Sequence, residues 1–424
     1  MADVISMSQN ASDVLAVRLL QAEAGVAKPM RVVPLFETLD DLDAAPGIME
    51  ALWQMPWFKG DIDSKQEVML GYSDSAKDAG RLAAAWAQYQ TQEGLVAAAE
   101  KHGINLSLFH GKGGTVSRGG DPSTFRAICA QPPGTVNGRF RITEQGEIIT
   151  QNYAHRRVAE RHLNTYTAAL LYEQFLPTAS RQPTDEHRQL LDGLSEVSCA
   201  AYRSVVREQD AFIPYFRSAT PEIEIASLNV GSRPAKRRPT GGVETLRAIP
   251  WVFAWTQTRL NLTAWLGIGA ALTDLDDEQR ETLKDMYENL PWFTAVVDVV
   301  DRVLAMSEPD IAANYDRQLV TEQAVDVTQE DMLELGRKLR GELETTRQEL
   351  LALRGYEKCQ EENLLLLRAL RVRNPYVDPL NVFQAEVLRR LRNEEYDGET
   401  EKAELTDALV ITINGIANGQ KNSG

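Results

Sequence analysis

Short apolar runs alternate with longer amphipathic segments in the first third of the chain. Apolar, β-rich runs occur at residues 3–7, 31–36, 67–72 and 104–109. Helical periodicity follows most of these runs, as in 12–24, which stops before Gly25, and in 75–102, which stops before Gly103. Apolar strands that alternate with helices predict a parallel sheet with both faces covered.

Further along the chain the pattern becomes helical. Residues 138–153 predict a β-hairpin that turns at Gly146, and helical patterns dominate from residue 155, notably over 327–373 and 401–416. About four strand–helix units are visible, whereas a closed (β/α) barrel needs eight. We therefore expect a helix-rich α/β protein. A partial (β/α) TIM-like barrel, the C-terminal half of a barrel, covers residues 1–153, and a large all-helical region covers 154–424.

Composition narrows the class of protein. A hydrophobic fraction of 43% and a charged fraction of 25% are typical of a soluble globular chain. The net charge of -16 argues against a nucleic-acid partner. No apolar run approaches the roughly 20 residues that span a bilayer, so no membrane partner is expected. Three distant cysteines and an N-terminus without a secretory pattern predict a cytoplasmic protein with reduced thiols.

Two acidic residues and one lysine follow neighbouring strands of the predicted sheet. Glu37 comes directly after one apolar run, and Asp74 follows the next. Carboxylates at the same ends of adjacent strands can converge on Mg²⁺, and Lys77 can face a phosphate. The alternatives stay open: Glu37 can be a helix N-terminal charge beside a Thr38 or Asp40 cap, and Lys77 a solvated lysine.

A glycine-rich segment, LFHGKGGTVSRGGDP at residues 108–122, follows the fourth run. Its glycines allow backbone N–H groups to approach a ligand, and Lys112 and Arg118 supply cations for a phosphate or carboxylate. The spacing matches neither a Walker A loop nor a dinucleotide-binding fingerprint. It predicts an anion-binding loop, with a plain surface loop as the alternative.

The densest basic cluster of this acidic chain lies in residues 231–247. It comprises Arg233, Lys236, Arg237, Arg238 and Arg247. A nuclear-localisation or nucleic-acid patch is one interpretation. The prolines within the cluster and the IPWVFAW run after it favour a rigid loop packed on a core. Trp251, Trp255 and Trp265, at helical spacing, are interpreted as core residues and not as a base-stacking platform. His155 and His162, on an Arg-rich helical segment, are interpreted as surface or structural residues.

These segments together resemble phosphoenolpyruvate carboxylases. The similar strings include PLFETLDDL, GYSDSAKDAG, FHGKGGTVSRGG, FRSATPE, GSRPAKRRPTGG, LRAIPWVFAWTQ, RNPYVDPLN and the terminal KNSG, so the resemblance runs from Ile5 to Gly424. It implies that Glu37 and Asp74 hold Mg²⁺ (or Mn²⁺) and that Arg233 and Arg247 bind the substrate phosphate. It also implies that the loop with Lys112 and Arg118 covers the site.

The reaction implied by the resemblance joins bicarbonate to phosphoenolpyruvate. Bicarbonate attacks the phosphate, giving carboxyphosphate and an enolate, and the carbon dioxide released is captured by the enolate to yield oxaloacetate. A metal and clustered cations would stabilise the enolate and phosphate charge. The implied partners are these two substrates and either further copies of the chain, in a tetramer, or a separate N-terminal half.

The chain departs from the family pattern in three places. The Thr-Ala-His-Pro-Thr-Glu segment, with the histidine needed for carboxylation, has no counterpart here. Lys112 replaces an arginine, so a bidentate fork becomes a point charge. Met306 replaces the lysine of an aspartate-inhibition site whose other members match Arg118, Arg373 and Asn422, which makes feedback inhibition doubtful.

Two functional hypotheses follow from these matches and departures. The chain is either part of a carboxylase, inactive alone, or a remnant that only binds a ligand or partner. A half-barrel would also expose strand edges, so we expect self-association or a need for the missing half.

Overall fold

A computed structural model of the chain describes residues 2–112, 124–144, 146–175, 182–227, 243, 246–321 and 327–421. The described residues form two compact units. The first unit lies within residues 2–195 and 281–296, and the second within 196–280 and 297–421. No helix among the described residues is long and apolar enough to cross a bilayer.

The first unit contains a five-stranded sheet. Its strands are β1 (Ala2–Ile5), β2 (Arg31–Phe36), β3 (Lys65–Leu70), β4 (Asn105–His110) and β5 (Arg141–Ile142). Each strand pairs in parallel with the next one along the chain. Strands added in chain order are the arrangement found in a (β/α) barrel, whereas a doubly wound sheet reverses its order at a switch point.

The helices of the first unit lie between and after these strands along the chain. They are α1 (Ala11–Glu23), α2 (Leu39–Trp53), α3 (Pro56–Asp61), α4 (Tyr72–Ala79), α5 (Arg81–His102), α6 (Thr124–Cys129), α7 (Gly146–Tyr153) and α8 (Arg156–Phe175). The core joins apolar residues of β2, β3 and β4, such as Phe36, Val68 and Leu108, to Met49 of α2 and Leu95 of α5. Burial of this apolar surface is the main force that holds the strand ends in place.

The second unit is helical among its described residues. Three helices contain residues of both units: α9 (Asp185–Val206), α14 (Asp277–Asn289) and α15 (Pro291–Met306). The others are α10 (Phe212–Ala219), α11 (Glu222–Ser227), α12 (Ala248–Gln257), α13 (Ile268–Thr273), α16 (Pro309–Leu319), α17 (Gln329–Arg354), α18 (Leu364–Arg392) and α19 (Gly398–Gln420). Trp251, Trp255 and Trp265 are fully buried in it, which confirms their structural interpretation.

The structure corrects two details of the sequence-based expectations. The hairpin at 138–153 is wrong, because β5 pairs in parallel with β4 and α7 begins at Gly146. The single helix expected over 75–102 is divided into α4 and α5 at Gly80, whose φ of +82° no helix interior allows. The helical patterns over 327–373 are confirmed as α17 and the start of α18, which are separated where Gly355 ends α17 in a left-handed conformation.

Candidate active site

The carboxyl ends of β2, β3 and β4 lie side by side. Phe36 is paired with Leu70, and Leu70 with His110, so these three residues form one row across the sheet. The next residue of each segment is Glu37, Gly71 or Gly111. The backbone N–H of Gly71 donates to Phe36 O at 2.8 Å, and that of Gly111 to Leu70 O at 2.8 Å. Hydrogen bonding thus continues one residue beyond each strand and places the candidate segments along one edge.

Glu37 is a buried carboxylate at this edge. Its side chain is 4% exposed, and its Oε2 accepts a hydrogen bond from the backbone N–H of Met7 at 2.7 Å. Thr38 is the N-cap of α2 and accepts from Asp41 N at 3.2 Å, so the helix start is capped without Glu37. Burying a carboxylate is costly unless cations or hydrogen-bond donors compensate. This burial favours the binding interpretation of Glu37 over a helix-terminal charge.

Asp74 lies on the first turn of α4, which starts against Glu37. A Cβ added to Gly71 would lie 3.0 Å from Phe36 O and 3.2 Å from Glu37 Cγ, so only glycine allows this close approach. Among the described residues there is no cluster of three or more His, Cys, Asp or Glu side chains that could hold a metal. Two carboxylates are enough for Mg²⁺, which completes its octahedron with water and substrate oxygens. The donor set therefore fits Mg²⁺ or Mn²⁺.

Two lysines of the first unit, Lys77 and Lys112, are buried on segments that follow β3 and β4. Lys77 lies in the last turn of α4 and is 8% exposed, so the interpretation as a solvated first-turn lysine is wrong. Lys112, two residues beyond β4, is also 8% exposed, and its Nζ lies 5.3 Å from the centre of the Phe140 ring. Ammonium groups are rarely buried without a functional or pairing role. Burial of both ammonium groups therefore requires compensating contacts.

His110 is a feature of this edge that the sequence analysis missed. The imidazole is 1% exposed, stacks on Phe140 with ring centres 4.6 Å apart, and has its Nδ1 2.9 Å from the Tyr72 hydroxyl. Burial, together with the charge of Lys112, lowers the pKa of His110 from 6.5 to about 3. The ring is therefore neutral near pH 7. Its position inside FHGKGG, directly after the apolar run 104–109, was the available signal.

The lowered pKa of His110 predicts a pH-dependent stability. Below pH 6.5 the unfolded chain binds a proton at this imidazole, whereas the folded chain binds it only near pH 3. The contribution of the neutral His110 to the free energy of unfolding is fully present above pH 6.5. It is lost as the pH drops towards 3, by at most about 1.4 kcal/mol per pH unit. Urea unfolding between pH 7 and 4 should give a shallower pH slope for His110→Gln than for the wild type. Identical slopes would show that His110 does not cause the acid sensitivity.

Arg247 occupies the N-cap position of α12 in the second unit. Its carbonyl accepts from Trp251 N at 3.2 Å, and its half-buried side chain has a buried Nε without a hydrogen-bond partner in the described structure. A guanidinium at a helix N-terminus adds positive charge to the positive end of the helix dipole. An anion bound there would be attracted by both the side chain and the helix, as phosphates are at such termini.

Arg373 and Met306 also belong to the second unit. Arg373 donates from Nη1 to Gly419 O at 2.6 Å, and burial together with Arg259 lowers the pKa of its guanidinium. Met306 is 3% exposed and packs with Val303 and Leu370 in an apolar cluster. The position that the resemblance assigns to a lysine is thus part of a core here. Arg259 lies between the two residues, since its Nε donates to Met306 O at 2.8 Å.

Three of the residues proposed from sequence, Arg118, Arg233 and Asn422, lie outside the described residues. The basic cluster at 233–238 does so as well. Within the first unit the structure places Glu37, Asp74, Lys77 and Lys112 on segments that follow neighbouring strands. His155 and His162 lie at exposed and half-buried positions, as expected for structural or surface residues.

A buried parallel sheet with carboxylates and lysines after its strands is typical of an α/β enzyme that binds an anionic substrate and a divalent metal. The sequence model of the phosphoenolpyruvate carboxylase family matches residues 1–424, and the chain belongs to this family. A phosphoenolpyruvate carboxylase of Marinomonas sp. (strain MWYL1) is 49% identical over 422 residues, which are 99% of this chain and 46% of the relative. The phosphoenolpyruvate carboxylase of Picea abies is 44% identical over 448 residues, covering 99% and 45%.

The similarity extends from bacteria to plants. Phosphoenolpyruvate carboxylase 1 of Arabidopsis thaliana is 44% identical over 450 residues, which cover 99% of this chain and 45% of the relative. The chain therefore spans less than half the length of the curated relatives that it matches.

Proposed function

We propose that the chain supplies the metal- and phosphate-binding part of a phosphoenolpyruvate carboxylase, as the C-terminal portion of the enzyme. The observation that carries this proposal is the row of strand ends at which Glu37, the start of α4 and Lys112 follow Phe36, Leu70 and His110. Family membership supplies the substrate class. The parallel sheet in chain order is, in this proposal, part of a (β/α) TIM-like barrel that a further segment completes.

Each proposed residue has a distinct task. Glu37 and Asp74 would hold Mg²⁺ or Mn²⁺, which when bound supplies positive charge for the enolate and phosphate oxygens. Lys77 and Lys112, both buried, would orient the substrate anion and neutralise its charge. Arg247, with Arg233 outside the described residues, would bind the phosphate. The loop that contains Arg118 would exclude water from reactive intermediates.

The reaction would transfer the phosphoryl group from the enol oxygen to bicarbonate. The bond between phosphorus and the enol oxygen breaks as a bicarbonate oxygen attacks phosphorus, leaving an enolate and carboxyphosphate. Carboxyphosphate then divides into carbon dioxide and inorganic phosphate, which keeps the bicarbonate proton. The enolate carbon attacks carbon dioxide and gives oxaloacetate. Closing the site matters because water would otherwise protonate the enolate.

Metal binding tests this assignment without requiring turnover. We expect Glu37→Gln and Asp74→Asn each to weaken Mn²⁺ binding to the chain at least tenfold, because each removes a charged oxygen ligand. The measurement is an electron paramagnetic resonance titration of free Mn²⁺. Asp63→Asn is the matched control, since the Asp63 side chain is 83% exposed and lies before β3, at the other end of the strand. Equal Mn²⁺ affinities in the wild type and all three variants would show that Glu37 and Asp74 do not hold the metal.

Turnover separates the carboxylase from a remnant that only binds ligands. The purified chain receives phosphoenolpyruvate, bicarbonate and Mg²⁺, and oxaloacetate is followed by coupled NADH oxidation. We expect no turnover by the chain alone and turnover once the N-terminal part of a relative is added. Turnover by the chain alone would show that another group replaces the absent histidine. No turnover in either condition would favour the function of a remnant that only binds a ligand or partner.

A further inference from the structure

A buried network of polar side chains holds the carboxyl end of α12, the helix that begins at Arg247. It involves five residues from four helices of the second unit: Gln257 of α12, Tyr315 of α16, Asn381 and Gln384 of α18, and Thr412 of α19. Four of these side chains are 0% exposed, and Thr412 is 1% exposed. Such a network is costly to bury unless its members satisfy one another.

Three hydrogen bonds hold Gln257 in this network. Asn381 Nδ2 donates to the Gln257 carbonyl at 2.6 Å, and Gln384 Nε2 donates to Gln257 Oε1 at 3.0 Å. Gln257 Nε2 itself donates to Ile413 O of α19 at 3.3 Å. The last carbonyls of a helix have no partner within the helix, so Asn381 supplies a C-terminal cap to α12 from another helix.

The remaining bonds fix the orientation of the two amides that hold α12. Tyr315 donates its hydroxyl proton to Gln384 Oε1 at 2.7 Å and accepts from Asn381 Nδ2 at 3.2 Å. Gln384 Nε2 also lies 3.2 Å from Thr412 Oγ1, which in turn donates to Leu409 O at 2.8 Å. Both hydrogens of each amide and the hydroxyl proton of Tyr315 are thereby used. An amide with every donor engaged has only one orientation in which it fits.

Apolar packing and these hydrogen bonds together define the position of α12. Every residue of α12 except Ile249 is buried, so the helix is surrounded by side chains on all faces. Close packing restrains the helix, but dispersion and hydrophobic contacts are non-directional and satisfy none of the polar groups at its carboxyl end. Hydrogen bonds to its last carbonyl and side chain set the axial position. Arg247 lies ten residues away, about 15 Å along the helix.

We propose that Asn381, Gln384 and Gln257 are positioning residues, which fix where α12 places Arg247 for a phosphoryl group. This inference rests on the proposed phosphate-binding role of Arg247. A small axial shift of α12 would move its N-terminus and the guanidinium together, and phosphate recognition depends on bond geometry. Loss of the network should therefore weaken phosphate binding even where the unit stays folded.

The test uses Asn381→Leu, which removes both amide donors, and two tyrosine variants that lose one hydroxyl each. Tyr315→Phe removes a network member, whereas Tyr215→Phe is its matched control. Tyr215 is 1% exposed and its hydroxyl donates to Asp316 Oδ1 at 2.9 Å, so it loses a comparable buried bond that does not reach α12. The probes are phosphoenolpyruvate with Mg²⁺, titrated calorimetrically, and hydrogen exchange of the α12 amides. Titrations are made well below each unfolding midpoint.

We expect Asn381→Leu to weaken phosphoenolpyruvate binding at least fivefold and to speed α12 exchange at least tenfold. Tyr315→Phe should shift both readouts in the same direction by less, and Tyr215→Phe should shift neither. A role confined to global stability would lower the unfolding midpoint of all three without these local effects. If Asn381→Leu does not fold, the comparison of Tyr315→Phe with Tyr215→Phe tests the inference.

The outcomes separate the inference from the proposed function. If the wild type binds phosphoenolpyruvate and the network variants bind it as tightly as Tyr215→Phe does, the inference is overturned and the proposed function stands. If the wild type binds it and Arg247→Met binds it as tightly, the phosphate role of Arg247 fails and the inference fails with it. Weakened binding in the network variants alone supports both.

Discussion

Arg354→Met should lower the free energy of unfolding by about 3–5 kcal/mol, because it leaves a buried carboxylate without its cation. Arg354 ends α17, its guanidinium is 0% exposed, and it pairs with Asp301, whose side chain is also 0% exposed. Nη2 of the same guanidinium lies 2.9 Å from Glu362 Oε1. Asp301 Oδ2 also accepts from the Gln360 backbone at 2.9 Å, so the ion pair fastens the connection between α17 and α18.

A second arginine of the same helix gives the control. Arg337 is 52% exposed and pairs with Glu330 and Glu334, so Arg337→Met should lower the free energy of unfolding far less than Arg354→Met does. Urea unfolding of the two variants and the wild type measures the difference. If both substitutions lower the free energy of unfolding equally, the buried ion pair stabilises the protein no more than the exposed one. Because α18 carries Asn381 and Gln384, a loosened Arg354 connection should also speed hydrogen exchange in α18.

Gly111→Ala should destabilise the first unit by about 1–3 kcal/mol and displace Lys112. The added Cβ would lie 2.7 Å from Leu70 O and 2.9 Å from Met69 Cε. The methionine side chain can rotate away, but Leu70 O is held in the sheet and accepts the Gly111 N–H itself. Relief requires the chain after β4 to move away from β3. That movement carries Lys112 from its place beside Phe140, so phosphoenolpyruvate binding should weaken as stability falls.

Gly47→Ala is the matched control for Gly111→Ala. Gly47 lies inside α2, and a Cβ added there would meet no atom within 4 Å. This variant should be more stable than the wild type by about 0.5–1 kcal/mol, because alanine favours the helix. Thermal unfolding and calorimetric titration of both variants provide the comparison. A Gly111→Ala protein with wild-type stability and wild-type affinity for phosphoenolpyruvate would show that the sheet accommodates a Cβ at this position.

Much of the sheet and of its edge was predictable from the chain. The run at 31–36 is β2 to the residue, and three other runs differ from their strands by one or two residues at each end. Each of these strands contains a short apolar stretch near glycine and polar residues, which is a local signal that survives folding. The hairpin failed because a β-rich string such as EIITQNY also fits a helix once its neighbours supply the contacts.

The candidate site was predictable only in part. Glu37, Asp74 and Lys112 were identifiable, because each follows an apolar run and their strings resemble one family. His110 was missed, although it stands within the glycine-rich string, because its value depends on Tyr72 and Phe140 nearby in space. The network around Gln257 was invisible, since Asn381 lies 124 residues away along the chain.

The sequence by itself determined the family, the parallel strand–helix units and the residue types that follow each strand, because apolar periodicity and motif strings are local properties. Only the tertiary structure decided which of these side chains are buried and what they contact. Lys77 is 8% exposed, Met306 lies in an apolar cluster, and Asn381 caps α12. Burial and hydrogen-bond partners depend on segments far apart in the chain, and no local pattern encodes them.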